Sequence, residues 1–316
     1  MALGHRPVML AEVLKALKPQ SGGAYVDGTI GAGGHAEAIL DACGPEGRLL
    51  GLDRDPRALD LASKRLKKFG ERCRLVHATF DRLEEQVPRW APQGVQGILL
   101  DLGVSSMQLD DPGRGFSFRF DTPLDMRMGN DGPQAAELLA RLPEKELTEV
   151  FSRLGEEPFA SRIARALVAA RRQNPINTTR QLTEIVLAAL PAAARRKRKL
   201  HPATRVFMAL RILVNDELGQ LERFLQKAPP LLAPEGILVL VSYHSLEDRM
   251  IKKALTRMAN PCTCPPKLPV CVCGKKPLLR LPRKKPQTPG PQEIAANPRA
   301  RSARMRAAVR TQEEAV

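Results

Sequence analysis

Residues 24–35, Ala-Tyr-Val-Asp-Gly-Thr-Ile-Gly-Ala-Gly-Gly-His, constrain the chain more than any other stretch. A short apolar run ends on Asp27, and a turn holding Gly28, Gly31, Gly33 and Gly34 then opens an amphipathic segment that runs to about Ala42. The spacing predicts a strand, a tight turn and a helix. Glycine tolerates positive φ and lets a ligand approach the backbone. A helix start offers unpaired N–H groups and the positive end of a dipole. Together these features describe a site for a nucleotide-type cofactor.

Gly31-x-Gly33-x-x-Ala36 fits a loose dinucleotide fingerprint, so an NAD-dependent oxidoreductase is one reading. A second strand, 48–53, ends on Asp53, about 20 residues past the turn, where an acid can hold ribose hydroxyls. NAD and S-adenosylmethionine share that need. Asp27 tilts the choice, because a carboxylate beside the turn opposes a pyrophosphate but suits a sulfonium and an ammonium group. Local chemistry therefore favours S-adenosylmethionine, with a plain turn-capping role for Asp27 as the alternative.

The pattern of strands and helices extends this local motif. Strands read at 24–27, 48–53, 73–78 and 97–102, with helices at about 34–42, 56–69 and 81–87. This alternation predicts an α/β fold, a Rossmann-like parallel sheet with its site at the carboxyl ends of the strands. Residues 106–133 read as ordered loop, and 134–226 as helical throughout, at 134–141, 144–154, 157–173, 178–189 and 202–226. A strand returns at 236–242, followed by a helix over 246–258. Residues 259–298 are expected to be mostly irregular, and 299–311 to form a last, edge-like strand. The economical organisation is a sheet domain begun by 1–110, a helical insert over 111–210, and completion of the sheet domain by 211–316.

The net charge of +16 is unevenly spread over the 316 residues. Residues 1–161 hold 20 Lys/Arg against 24 Asp/Glu, whereas 162–211 hold 12 basic side chains with Glu184 as the sole acid. Residues 249–310 hold 16 basic side chains with Glu293 as the sole acid. Two separate cationic segments beside a neutral cofactor half favour nucleic acid, with an anionic membrane surface as the competitor and a merely solvated face as the bland reading. The longest apolar runs are strand-length, too short to span a bilayer, so a cytoplasmic protein is expected.

Three further places could carry chemistry. The fourth strand ends on Asp101, where a carboxylate could hold the cofactor's ammonium group or accept a hydrogen bond from a substrate amine. His244, at the end of the returning strand, could contact substrate or accept a proton, although an amine methylated by a sulfonium can lose its proton to water. Ser245 with Asp248 fits a capping box at the next helix. Phe116 and Phe118, in a polar loop, could stack on an extruded base or anchor the loop to a core. Cys262-x-Cys264 and Cys271-x-Cys273 suggest zinc, but their spacing is tighter than the usual C-x2-C. No metal is assigned on sequence grounds. A cytoplasmic setting argues against disulfides.

These segments occur in order along nearly the whole chain. They are His5-Arg6-Pro7-Val8-Met9-Leu10, Asp27 to His35, Leu52-Asp53-Arg54-Asp55-Pro56, Asp101-Leu102-Gly103-Val104-Ser105-Ser106-x-Gln108-Leu109-Asp110 and Arg114 to Phe118. Pro123 to Met128, Ser242-x-His244-Ser245-Leu246-Glu247-Asp248-Arg249 and Arg301-Ser302-Ala303-x-Met305-Arg306 follow. The set closely resembles the ribosomal RNA small subunit methyltransferase H family, also called MraW. The resemblance implies transfer of a methyl group from S-adenosylmethionine to the exocyclic N4 of a cytidine in the decoding region of bacterial 16S rRNA, either naked or within the small subunit. It also implies cofactor contacts from Gly33, Gly34, His35, Asp53, Phe80, Asp101 and Gln108. Many amino methyltransferases acting on nucleobases carry Asp/Asn-Pro-Pro-Tyr after the fourth strand. Here Asp101-Leu-Gly-Val stands in its place, without the stacking tyrosine. A non-catalytic RNA-binding assembly factor on the same fold is the alternative reading.

Overall fold

The computed structural model describes residues 7–105, 108, 111–196, 200–265 and 270–312. His5, Arg6, Ser106, Leu109 and Asp110, named above for their motifs, lie outside these residues, as do 197–199 of the first cationic segment. Two compact units are present, one built from Met1–Gly103 with Gly219–Val316, the other from Val104–Leu218.

The first unit is a seven-stranded sheet. Its elements run α1 (Leu10–Leu17), β1 (Ala24–Asp27), α2 (Gly34–Ala42), β2 (Arg48–Asp53), α3 (Pro56–Leu66), β3 (Cys73–His77), α4 (Leu83–Trp90) and β4 (Val95–Asp101). Strand order is β3-β2-β1-β4-β5-β7-β6, with β5 (Leu232–Ser242), β6 (Leu279–Arg280) and β7 (Arg304–Arg310). The first five strands are parallel, and β7 runs antiparallel to both neighbours. Central strands are apolar on both faces because both are covered. Val26, Leu50, Ile98, Leu100, Leu238 and Leu240 pack on one side. Tyr25, Leu49, Leu99, Val239 and Val241 pack on the other, against Val13, Leu17, Ile39 and Leu66. Strand β7 is not the edge expected for it, because the two-residue β6 pairs along its outer side.

The second unit is helical. It holds α5 (Ala135–Arg141), α6 (Glu144–Arg153), α7 (Ala160–Arg171), α8 (Thr179–Ala189), α9 (Ala192–Arg196) and α10 (Thr204–Asn215) around Leu139, Phe151, Ile163, Leu182, Val186 and Leu210. The single helix expected over 202–226 is two, because Asp216 takes a left-handed conformation (φ 49°) between α10 and α11 (Glu217–Lys227). Ahead of α5 a long loop is fastened by Asn215, whose Oδ1 accepts from Met128 N at 2.8 Å while Nδ2 donates to Met126 O at 2.7 Å. Two helices follow β5 in the first unit, α12 (Ser245–Ala259) and α13 (Pro291–Ala296). Among the described residues no helix is long and apolar enough to cross a membrane.

Candidate active site

Adjacent parallel strands end together, and three carboxylates follow from that: Asp27 closes β1, Asp53 closes β2 and Asp101 closes β4. The glycine turn is tied to its neighbours by Gly28 N to Leu99 O and by Ile30 N to Leu52 O, both 2.9 Å. Gly33 caps α2 with φ 79°, a conformation that costs a side-chain-bearing residue energy. A Cβ on Gly34 would meet Pro7 Cγ at 2.5 Å, so the absence of a side chain is also a packing requirement there.

Each acid is held differently. Asp53 accepts Gly31 N on Oδ2 at 2.9 Å and Asp55 N on Oδ1 at 2.8 Å, so it clamps the turn. Burial raises its pKa, and these N–H groups work against that rise. Asp27 is fully buried, and burial pushes its carboxyl up to about 7 despite the nearby His35 ring and the Thr29 N–H. Asp101 keeps about a fifth of its side chain exposed. Its own N–H donates to Thr29 Oγ1 at 2.7 Å, and its Oδ1 accepts the Tyr243 hydroxyl at 2.9 Å.

His35, on the first turn of α2, brings its Nε2 to 3.5 Å from Asp101 Oδ2, an ion-pair contact without hydrogen-bond geometry. Both of its ring nitrogens are buried with no hydrogen-bond partner among the described residues. Burial opposes its protonation, but the Asp101, Asp27 and Glu293 carboxylates outweigh burial and lift the ring above its ordinary pKa.

A model of the MraW methylase family matches residues 2–311. The chain belongs to that family. Ribosomal RNA small subunit methyltransferase H of Symbiobacterium thermophilum is 51% identical over 313 residues, covering 99% of this chain and 98% of the relative. The protein of the same name from Geobacter sulfurreducens is 52% identical over 309 residues, covering 98% and 99%. A third, from Carboxydothermus hydrogenoformans, is 48% identical over 309 residues, covering 98% of each chain.

The family's cofactor is S-adenosylmethionine, and the residues present fit it. Three acids at neighbouring strand ends suit a cationic sulfonium and ammonium, and a pyrophosphate would meet repulsion there. The buried His35 nitrogens, without a hydrogen-bond partner among the described residues, offer a polar contact, and the first turn of α2 offers N–H groups. Gly33, Gly34, His35, Asp53 and Asp101 thus surround one turn and could hold the cofactor. Phe80 follows β3, its ring edge-on to Phe224 at 5.7 Å, and its Cβ would lie 3.2 Å from a Cβ built on Gly28. Gln108 belongs to the helical unit. There it is buried, with Oε1 accepting from Ser105 N at 3.0 Å and Nε2 donating to Met128 O at 3.4 Å.

His244 is placed as a capping residue at the start of α12. Its Nε2 lies 3.0 Å from Glu247 Oε1, and Glu247 Oε2 accepts the N–H groups of Tyr243 and His244. The capping box expected of Ser245 with Asp248 is therefore formed one residue earlier, by His244 with Glu247. Asp248 instead binds Arg304 and Arg306 of β7. Of the two loop aromatics, Phe116 is buried in the helical core, while Phe118 stacks on His201 at 4.3 Å. Tyr243, absent from the residues singled out by sequence, is the strongest partner of Asp101. Its position directly before His244 was the one available signal. A separate cleft of about 560 Å³ opens around Lys15, Tyr25, Gln96, Glu235 and Arg280, at the amino ends of the strands and away from this constellation.

Proposed function

We propose that this chain transfers the methyl group of S-adenosylmethionine to the exocyclic N4 of a cytidine in the decoding region of 16S rRNA, acting in the cytoplasm on the small ribosomal subunit. The relatives that match it end to end at about half identity are named for ribosomal RNA methylation in the small subunit. The observation that carries the chemistry is Asp101, a partly exposed carboxylate fixed by Tyr243 at the carboxyl end of the central sheet. Two cationic segments supply the complement to a polyanion.

When bound, S-adenosylmethionine supplies an electrophilic methyl group on a sulfonium. In this reading the Asp101 carboxylate accepts a hydrogen bond from the cytosine amino group and aims its lone pair along the line of attack. That nitrogen would take the methyl group and then lose one proton to water, so no dedicated base is required. His35 and Asp27 sit behind Asp101 and fix the field around the positive cofactor. Catalysis of this kind rests on positioning, an effect of about 7–11 kcal/mol at most. Asp53 and Phe80 take the ribose and the adenine. Gly33, Gly34 and Gln108 complete the cofactor contacts, and His244 acts by holding the Tyr243 segment through Glu247.

Methyl transfer from labelled S-adenosylmethionine to small subunits lacking the modification, followed by nucleoside mass analysis, tests the reading. N4-methylcytidine is the expected product. Label in another nucleoside would overturn the target, and tight cofactor binding without any label in RNA would favour the non-catalytic assembly factor.

A further inference from the structure

Between α12 and β6 the described chain forms neither helix nor strand, and it has no apolar core of its own. Val270 and Val272, just before the second pair of cysteines and between them, are 71% and 77% exposed. Yet four thiols from this segment converge. The sulfurs of Cys262, Cys264, Cys271 and Cys273 all lie within 4.8 Å of one another. Cys271 Sγ is 3.4 Å from Cys262 Sγ, 3.8 Å from Cys264 Sγ and 3.5 Å from Cys273 Sγ.

Those separations discriminate between two chemistries. A disulfide needs sulfurs about 2.05 Å apart. A tetrahedral zinc with Zn–S bonds of about 2.3 Å places its sulfurs about 3.8 Å apart along each edge. The observed spacings sit near the second value, and all four thiols are free. The backbone is also arranged for thiolates. Val272 N donates to Cys264 Sγ at 3.4 Å. Gly274, with φ 66° and open space around it, turns the chain directly after Cys273.

We propose that Cys262, Cys264, Cys271 and Cys273 bind one structural zinc ion that folds the segment linking α12 to β6. Four thiolates leave no open coordination position, so the ion has no part in methyl transfer. Its binding displaces the thiol protons and supplies the ordering energy that an apolar core supplies elsewhere. The tetrathiolate carries net negative charge, and Lys275 and Lys276 follow it directly in a basic part of the chain. The C-x-C pairs, tight for a zinc site when read from sequence, are accommodated because the two pairs approach from opposite ends of the segment.

Metal analysis of the full-length chain, purified under reducing conditions without chelators, tests this. One zinc per chain is expected, released by a mercurial that titrates the thiols, and cobalt substitution is expected to give the intense visible bands of a tetrahedral thiolate site. Cys264→Ser and Cys271→Ser are each expected to bring the zinc ratio close to zero. Cys43→Ser and Cys73→Ser, in the sheet unit's packing, are expected to keep it. Metal-free protein should be cut by trypsin after Lys275 many times faster than the zinc form, with circular dichroism unchanged. A zinc ratio near zero both as purified and after zinc loading would overturn the site. So would full zinc retention in Cys271→Ser, or iron in place of zinc.

Discussion

Tyr243 Oη donates to Asp101 Oδ1 at 2.9 Å across 142 residues of sequence, joining the end of β5 to the end of β4. Burial raises the phenol's pKa, and the Asp101 charge raises it further, so Tyr243 remains a neutral donor throughout the working pH range. The hydrogen bond occupies one carboxylate oxygen, and His35 stands 3.5 Å from the other. A free carboxylate rotates about its last bond, whereas this one is held at a defined angle.

Tyr243→Phe keeps the ring and removes the hydroxyl. A hydrogen bond to a charged group contributes about 1.5–3 kcal/mol, so kcat is expected to fall roughly tenfold to a hundredfold. Cofactor affinity should change by less than about threefold if the hydroxyl acts through Asp101 alone. Steady-state kinetics with isothermal titration of S-adenosylmethionine would separate the two. An unchanged kcat would remove Tyr243 from the positioning of Asp101.

Asp27 exposes a conflict between stability and binding. Its carboxyl titrates at about 7 because burial disfavours the charge. A carboxylate raised above its unfolded value of about 3.9 contributes stability that is present at low pH and lost as pH rises to the folded value. The wild type should therefore lose up to about 4 kcal/mol between about pH 4 and pH 8, at 1.36 kcal/mol per pKa unit. Asp27→Asn keeps an acceptor for Thr29 N and removes most of that slope. The His35 ring, itself raised, leaves a slope of the same sign. Urea midpoints across that range would show it, and parallel slopes for the two proteins would exonerate Asp27. Weaker S-adenosylmethionine binding by the more stable variant is the expected counterpart.

Much of this architecture was legible in the sequence, for identifiable reasons. Strands β1 and β2 and helix α2 fall at 24–27, 48–53 and 34–42 as read, because glycine turns bound them and their apolar runs are covered on both faces. The break at Asp216 was not legible, since neither glycine nor proline marks it and the left-handed residue is an aspartate. The interior position of β7 was not legible either, because the strand covering it is only two residues long. The His244–Glu247 cap was displaced by the stronger local pattern of Ser245 and Asp248. The Tyr243–Asp101 bond depends on β4 and β5 being neighbours, a fact of topology that no local pattern carries.

Asp248 shows the opposite electrostatics to Asp27. It is buried, but the guanidiniums of Arg306 and Arg304 at 2.7 and 2.9 Å outweigh burial and hold its pKa below the ordinary value. A depressed carboxylate contributes stability above its unfolded pKa and loses it as pH falls through the folded value. Asp248→Ala leaves Arg306, one-tenth exposed, without this partner. Removing one member of a buried pair costs about 3–5 kcal/mol. The variant is expected to unfold at lower temperature near neutral pH and to approach the wild type in acid. A pH-independent difference would mean that packing, and not charge, sets the loss.

The basic run at 195–199 offers the most direct test of the polyanion reading. Arg195 and Arg196 are exposed at the end of α9, with Lys197, Arg198 and Lys199 next in sequence. Each phosphate neutralised by a protein cation adds about 0.7–0.9 to the slope of log affinity against log salt. Replacing all five by glutamine should therefore lower that slope by up to three or four units and weaken binding to small-subunit RNA most at low salt. The affinity for S-adenosylmethionine should stay the same, since none of the five is among the proposed cofactor residues. Filter binding across a salt series measures both the affinity and its slope. If neither changes, the run is a solvated face, and the RNA contacts must come from the second cationic segment over 249–310.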